Sequence, residues 1–158
     1  MTSPERAAGR RAFVLGALAV GLPRWAGAQR AQAPQIEVWK SPTCGCCKDW
    51  IAHVQASGFG VKVNETGNTA ARARLGIAER FGSCHTAAVG GYAIEGHVPA
   101  ADIRRLLAER PAAIGLAVPG MPIGSPGMDG PEYKGRKDAY DVLLLRADGT
   151  AGVYRRYV

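Results

Sequence analysis

Ile36-Glu37-Val38-Trp39-Lys40-Ser41-Pro42-Thr43-Cys44-Gly45-Cys46-Cys47-Lys48-Asp49-Trp50-Ile51 holds a strand, a turn and a helix start, with three cysteines at the join. Ile36, Val38 and Trp39 suit a strand, and Pro42-Thr43 ends it. From about Cys46 to Ser57 the apolar residues Cys47, Trp50, Ile51 and Val54 recur at i, i+3, i+4 and i+7, the spacing of one helix face. Gly58 is the stop signal. The chain has four cysteines, and the fourth, Cys84, lies far downstream beside His85. A scattered set would suggest a disulfide scaffold. This clustering predicts one site of soft donors.

Working outward, Val61 and Val63 alternate as a second strand. Thr69 to Leu75 predicts a second helix, broken at Gly76, with a short turn over Ile77 to Phe81. Thr86 to Val89 and Tyr92 to Glu95 flank Gly90-Gly91, a tight-hairpin signal. Pro99 suits the first turn of a helix running to Arg110, with Ile103, Leu106 and Leu107 inward and Pro111 as its stop. Pro111 to Asp138 is rich in proline and glycine and reads as a long structureless loop, a kind that is usually functional or disordered. Val142 to Arg146 and Gly152 to Tyr157 form a closing hairpin around Ala147-Asp148-Gly149-Thr150. The order βαβαββα, with Cys-x-x-Cys between the first strand and first helix, predicts an α/β, thioredoxin-like fold with an added Pro/Gly-rich Met loop and a C-terminal β-hairpin.

The N-terminus reads as targeting rather than fold. Arg6, Arg10 and Arg11 precede the apolar stretch Ala12–Leu22, which falls short of the roughly 20 residues a membrane span needs and suits a signal sequence. Ala26-Gly27-Ala28 supplies small residues for cleavage. Arg10-Arg11 before Ala12-Phe13-Val14, with Arg24 beyond, resembles a twin-arginine signal. The expected organisation is an export signal peptide over 1–28, a disordered lead over 29–34 and a single metal-binding domain over 35–158, placed in the periplasm or otherwise outside the cytoplasm. No membrane span is expected after signal removal. The formal charge is +7, falling to about +4 without the signal. The basic residues Lys40, Lys62, Arg72, Arg74, Arg80, Arg104, Arg105, Arg155 and Arg156 are scattered and read as a solvated surface. No basic run interleaves with aromatics, so nucleic acid is not an expected partner.

The helix pattern gives the cysteines separate environments. Cys44 precedes the helix and should be exposed, Cys46 lies in the first turn, and Cys47 should point inward. The positive end of the helix dipole, with Lys40 and Lys48 nearby, favours thiolates. In the predicted sheet the loop carrying Cys84 passes beside this helix start, so four sulfurs should converge. Soft thiolates choose Cu(I), Zn(II) or iron–sulfur clusters. A closed zinc tetrahedron is awkward with adjacent Cys46 and Cys47, and the usual iron–sulfur spacings are absent. Clustered sulfurs suit Cu(I), which accepts two or three thiolates and tolerates bridging. Two other readings stand beside it: a thiol–disulfide oxidoreductase using Cys44 and Cys47 as its catalytic pair, and structural disulfides in an exported domain. Met121 and Met128 in the loop are further soft donors or gap-fillers. His85 and His97 are less certain ligands, and His53 reads as solvated.

Four motifs in order, Cys44-Gly45-Cys46-Cys47, Ser83-Cys84-His85-Thr86-Ala87, Glu95-Gly96-His97-Val98-Pro99 and Gly120-Met121-Pro122 with Gly124-Ser125-Pro126-Gly127-Met128, resemble the domain of unknown function 411 family of CopG-like periplasmic copper-resistance and metal-binding proteins. The resemblance covers about Ile36 to Tyr157. It implies a thioredoxin-like fold, a cysteine-bridged, multinuclear Cu(I) cluster on Cys44, Cys46, Cys47 and Cys84, and a part in copper tolerance, with interconversion of Cu(I) and Cu(II). The implied partners are copper ions and other periplasmic copper-handling proteins.

Overall fold

The computed structural model describes residues 33–158. The expected signal over 1–28 lies outside the described residues, as does most of the lead; Ala33 and Pro34 are exposed and irregular. The elements are β1 (Gln35–Lys40), α1 (Gly45–Ala56), β2 (Gly60–Asn64), α2 (Thr69–Arg74), β3 (His85–Val89), β4 (Tyr92–Glu95), α3 (Ala100–Glu109), β5 (Gly115–Ala117), β6 (Tyr140–Leu145) and β7 (Ala151–Tyr157), with single 3-10 turns at Glu79–Phe81 and Pro131–Tyr133. The seven strands form one sheet in the order β2-β1-β3-β4-β5-β6-β7. β1 runs parallel to β2, and β4 parallel to β5; the pairs β1–β3, β3–β4, β5–β6 and β6–β7 are antiparallel. Each parallel pair needs a crossover, which α1 and α3 supply.

Strand alternation sorts the side chains onto two faces. Ile36, Val38, Ala87, Val89, Ile94, Leu116 and Val142 form one core with Trp50 and Val54 of α1 and Ile103 and Leu106 of α3. Ala93, Ala117 and Leu145 form a second with Ile77, which follows α2. Helices therefore cover both faces. Full burial of each aliphatic side chain contributes about 1.5–3 kcal/mol, so these two cores hold the site's frame. Gly90 and Gly91 both have positive φ, +56° and +88°, as a two-residue hairpin turn requires. No helix among the described residues is long and apolar enough to cross a membrane.

Two expectations need correction. The stretch from Pro111 to Asp138 is not structureless: Gly115–Ala117 is a strand that pairs with both β4 and β6 and so welds the terminal hairpin to the sheet. All three of its residues are buried, so it shows no polar–apolar alternation to read. A Cβ at Gly115 would overlap the Ala93 backbone, which is why glycine stands there. The basic residues are also not all solvated. Lys40 is 2% exposed and Arg72 7%, each paired with a carboxylate: Lys40 with Glu65 and Arg72 with Glu95, both at 2.9 Å.

Candidate metal centre

The turn after β1 presents the cysteines to the start of α1. The Cys44 amide donates to the Ser41 carbonyl at 3.1 Å. Cys44 is the N-cap residue, extended at φ −72° and ψ 104°, and its side chain makes no capping bond. The first helical amides thus lack a side-chain cap, and the positive helix end lies at the cysteine-bearing turn. Cys47 is fully buried, while Cys44 and Cys46 are half-buried; Cys44 is less exposed than its position before the helix implied. Cys44 and Cys47 are joined as a disulfide with a Cα–Cα distance of 5.4 Å, and Cys46 and Cys84 are free.

The distant cysteine arrives where the sheet predicts. Cys84 directly precedes β3, whose His85 pairs with Lys40 at the end of β1. The Cys46 sulfur stands 3.6 Å from the Cys44 sulfur and 3.7 Å from that of Cys84, and the Cys47 sulfur is 3.6 Å from the Cys84 carbonyl. All four sulfurs lie within 4.8 Å of one another. A second group, Cys84, His85 and His97, meets the same 4.8 Å limit. Cys84 therefore belongs to both groups.

Two histidines approach the Cys84 sulfur. His97 donates from Nδ1 to the Pro126 carbonyl at 2.8 Å, which leaves its Nε2 lone pair 3.1 Å from the Cys84 sulfur. Such a bond fixes the tautomer of a ligating imidazole. His85 Nδ1 is 3.4 Å from the same sulfur, and its ring centroid sits 4.3 Å from Trp50 and 5.1 Å from His97. Its Nε2 is buried without a partner. Burial holds both imidazoles below their usual range, His85 well below, with His97 as its second cause. They are neutral, with lone pairs available. Burial also pushes the Cys84 thiol up to about 12, with the neighbouring Cys46 charge adding to it, so without metal Cys84 keeps its proton.

The two loop methionines part company. Met121 is 51% exposed and lines an open cavity of about 410 Å³ with Cys84, Ser83 and Arg72. Met128 is buried, and its sulfur accepts the Tyr133 hydroxyl at 3.4 Å. The loop lies on the start of α1 itself: Gly127 has φ +84°, and a Cβ there would stand 2.7 Å from both the Cys46 carbonyl oxygen and the Trp50 nitrogen. His53, expected in solvent, is half-buried and accepts the Ala100 amide at 3.1 Å, linking α1 to α3. Sequence periodicity missed Arg72 and Glu95, a buried pair behind Cys84; the one available hint was a glutamate closing an otherwise apolar strand.

The family described as "Protein of unknown function, DUF411" matches residues 81–128. A solved structure of copper resistance protein copG, form 2, is 47% identical over 80% of this chain and 99% of its own, with a TM-score of 0.73. Form 1 is 48% identical over 78% of this chain and 96% of its own, with a TM-score of 0.71. No curated protein matches the chain. The matched segment includes Cys84, His85, His97, Met121 and Met128.

Proposed function

This chain belongs to the DUF411 family, together with the copper resistance protein copG structures, and from that premise we propose that it is an exported copper-binding protein that holds Cu(I) on its cysteine cluster and serves copper tolerance. One observation carries the reading: four sulfurs from two distant parts of the chain lie within 4.8 Å of one another. Thiolates prefer the soft monovalent ion over a hard divalent one. Cys84 lies in reach of both the sulfurs and the two imidazoles, which supports a cluster of more than one copper, bridged at Cys84. His97 is the better supported imidazole donor, since its tautomer is already set by Pro126. Met121, at the open edge, fits a donor that meets copper first. Met128 fits the role of packing the loop.

The strand order β2-β1-β3-β4 with β3 antiparallel to its neighbours, and Cys44/Cys47 at the helix start, supports a thioredoxin-like core extended by β5, β6 and β7. The signal-like residues 1–28 and the twin arginines support export by a route for folded proteins; other copper-handling proteins outside the cytoplasm would then be its partners.

The disulfide favours a second reading, thiol–disulfide or copper redox chemistry at Cys44 and Cys47. Two Cu(II) ions accept one electron each from the Cys44 and Cys47 thiolates, giving two Cu(I) and the disulfide; a dithiol reductant returns the electrons. Anaerobic titration of the reduced protein with Cu(I) tests the first reading. Tight uptake that collapses in Cys44→Ser/Cys84→Ser supports it, and uptake absent or unchanged rejects it. Insulin reduction that survives Cys46→Ser and Cys84→Ser would favour thiol exchange without metal.

A further inference from the structure

We infer that Arg72, Glu95 and Asn68 form a clamp that positions the Cys84 sulfur against Cys46. The inference rests on the proposed reading only in taking Cys84 as a donor; the geometry of the clamp is independent of metal. Cys84 hangs on a loop, and residue 83 decides where its side chain points. Ser83 has no freedom left. Its amide donates to Glu95 Oε1 at 2.6 Å. Its carbonyl, half of the peptide unit that leads into Cys84, accepts from Arg72 Nη2 at 2.6 Å and Asn68 Nδ2 at 3.1 Å. Its hydroxyl donates to the Gly120 carbonyl.

The clamp closes on itself. Arg72 Nε donates to Glu95 Oε1 at 2.9 Å, Thr86 donates to Glu95 Oε2 at 2.5 Å, and Asn68 Nδ2 also reaches Thr86 Oγ1 at 3.2 Å. Glu95 is fully buried and Arg72 nearly so. A buried ion pair contributes little net stability compared with apolar side chains of the same size. Its value here is directional: a carboxylate and a guanidinium can hold an amide and a carbonyl of one residue from opposite sides, which apolar groups cannot do. Gly96 leaves the room for this, since a Cβ there would stand 2.5 Å from Ser83 Oγ and 2.6 Å from the Val118 carbonyl oxygen. The local partner residues of Cys44, Cys46 and Cys47 belong to a helix start, whereas Cys84 depends on side chains from α2 and β4.

The test uses the reduced, metal-free protein and reads thiol alkylation at Cys84 relative to Cys46 by mass spectrometry, alongside Cu(I) titration. Glu95→Ala raises the Cys84:Cys46 alkylation ratio about tenfold and weakens Cu(I) uptake about 10–100-fold, the range for losing an outer partner of a metal ligand. Glu95→Gln, which keeps an oxygen for the Ser83 amide, returns both readouts to within about 1.5-fold of the parent, less than the loss of one hydrogen bond. Circular dichroism reports folding. If Glu95→Ala does not fold, Asn68→Ala carries the test and shifts the ratio about threefold in the same direction. A folded variant with an unchanged alkylation ratio overturns the clamp. A parent protein that takes up no Cu(I) overturns the copper reading instead, and the thiol ratio still judges the clamp.

Discussion

The two halves of the cluster are built by different physics. Cys44, Cys46 and Cys47 are placed by backbone: a turn, an N-cap and the first turn of α1. Their spacing would survive in any chain that starts a helix there. Cys84 is placed by side chains: the Arg72–Glu95–Asn68 network on one face of the sheet and the Trp50–His85–His97 group on the other. One half is local and cheap in chain entropy. The other closes a long loop and exists only when the tertiary structure does. A soft-metal site built this way couples metal capture to folding, because only the folded state brings the fourth sulfur in.

The two halves meet at Trp50. Its ring lies 4.3 Å from His85, its Nε1 donates to the Val98 carbonyl at 2.9 Å, and it is fully buried. Trp50→Ala should cost about 3–5 kcal/mol, the range for removing a buried aromatic, read as a fall in the denaturant midpoint. A loss under 1 kcal/mol (order of magnitude) would mean that the α1 half does not lean on the Cys84 half. Next in size is Cys84→Ser. It should weaken Cu(I) uptake by more than the roughly 100-fold that outer partners carry, while the Cys44–Cys47 disulfide still forms in oxidised protein. Equal affinity for parent and variant would show that the local half binds alone.

How far the sequence could be read follows the same division. The helix face of Cys47, Trp50 and Val54, the hairpin at Gly90-Gly91 and the convergence of Cys84 on the helix start were all legible, because periodicity, turn chemistry and strand order are local or nearly local signals. The family resemblance also rested on short, contiguous motifs. What was not legible needed a partner in space. Gly115–Ala117 is buried on both faces and carries no alternation. Lys40 and Arg72 look like surface charges until Glu65 and Glu95 stand beside them. His53 looks solvated until the α3 amide at Ala100 reaches it. Met121 and Met128 sit in one proline-glycine run, and only the path of the loop separates the exposed sulfur from the packed one.

A change where the proline-glycine loop meets the local half should act more weakly. Gly127 presses on the backbone of α1 with positive φ. Gly127→Ala adds a Cβ against the Cys46 carbonyl oxygen and strains the backbone, so it should cost about 1–3 kcal/mol and lift the loop from the local half. A thermal melt checks the first effect. Loss of the Pro126 bond to His97, seen as a changed imidazole tautomer by nitrogen NMR, checks the second. A melt identical to the parent's would show that the loop yields without strain.

The gentlest test is pH, because it changes no atom except a proton. Burial first, and the Cys46 charge second, raise the Cys84 thiol from 9.0 to about 12. The folded state therefore holds a proton that the unfolded chain releases at lower pH. The sign follows from linkage: the stabilising contribution is fully present below pH 9 and fades as pH rises toward about 12, where the folded form also ionises. Metal-free protein with the Cys44–Cys47 disulfide in place should lose stability across that window, and Cys84→Ser should lose less. Alkylation of Cys84 should rise about tenfold per pH unit from pH 8 to 10, because the thiolate is the reacting form. A flat alkylation profile would mean that Cys84 is already ionised beside the helix start, and that the two halves share one electrostatic environment rather than two. Copper uptake reads the same proton from the other side: if the thiol is held neutral, copper binding at Cys84 must release its one proton, so proton release on Cu(I) binding at pH 8 should fall in Cys84→Ser.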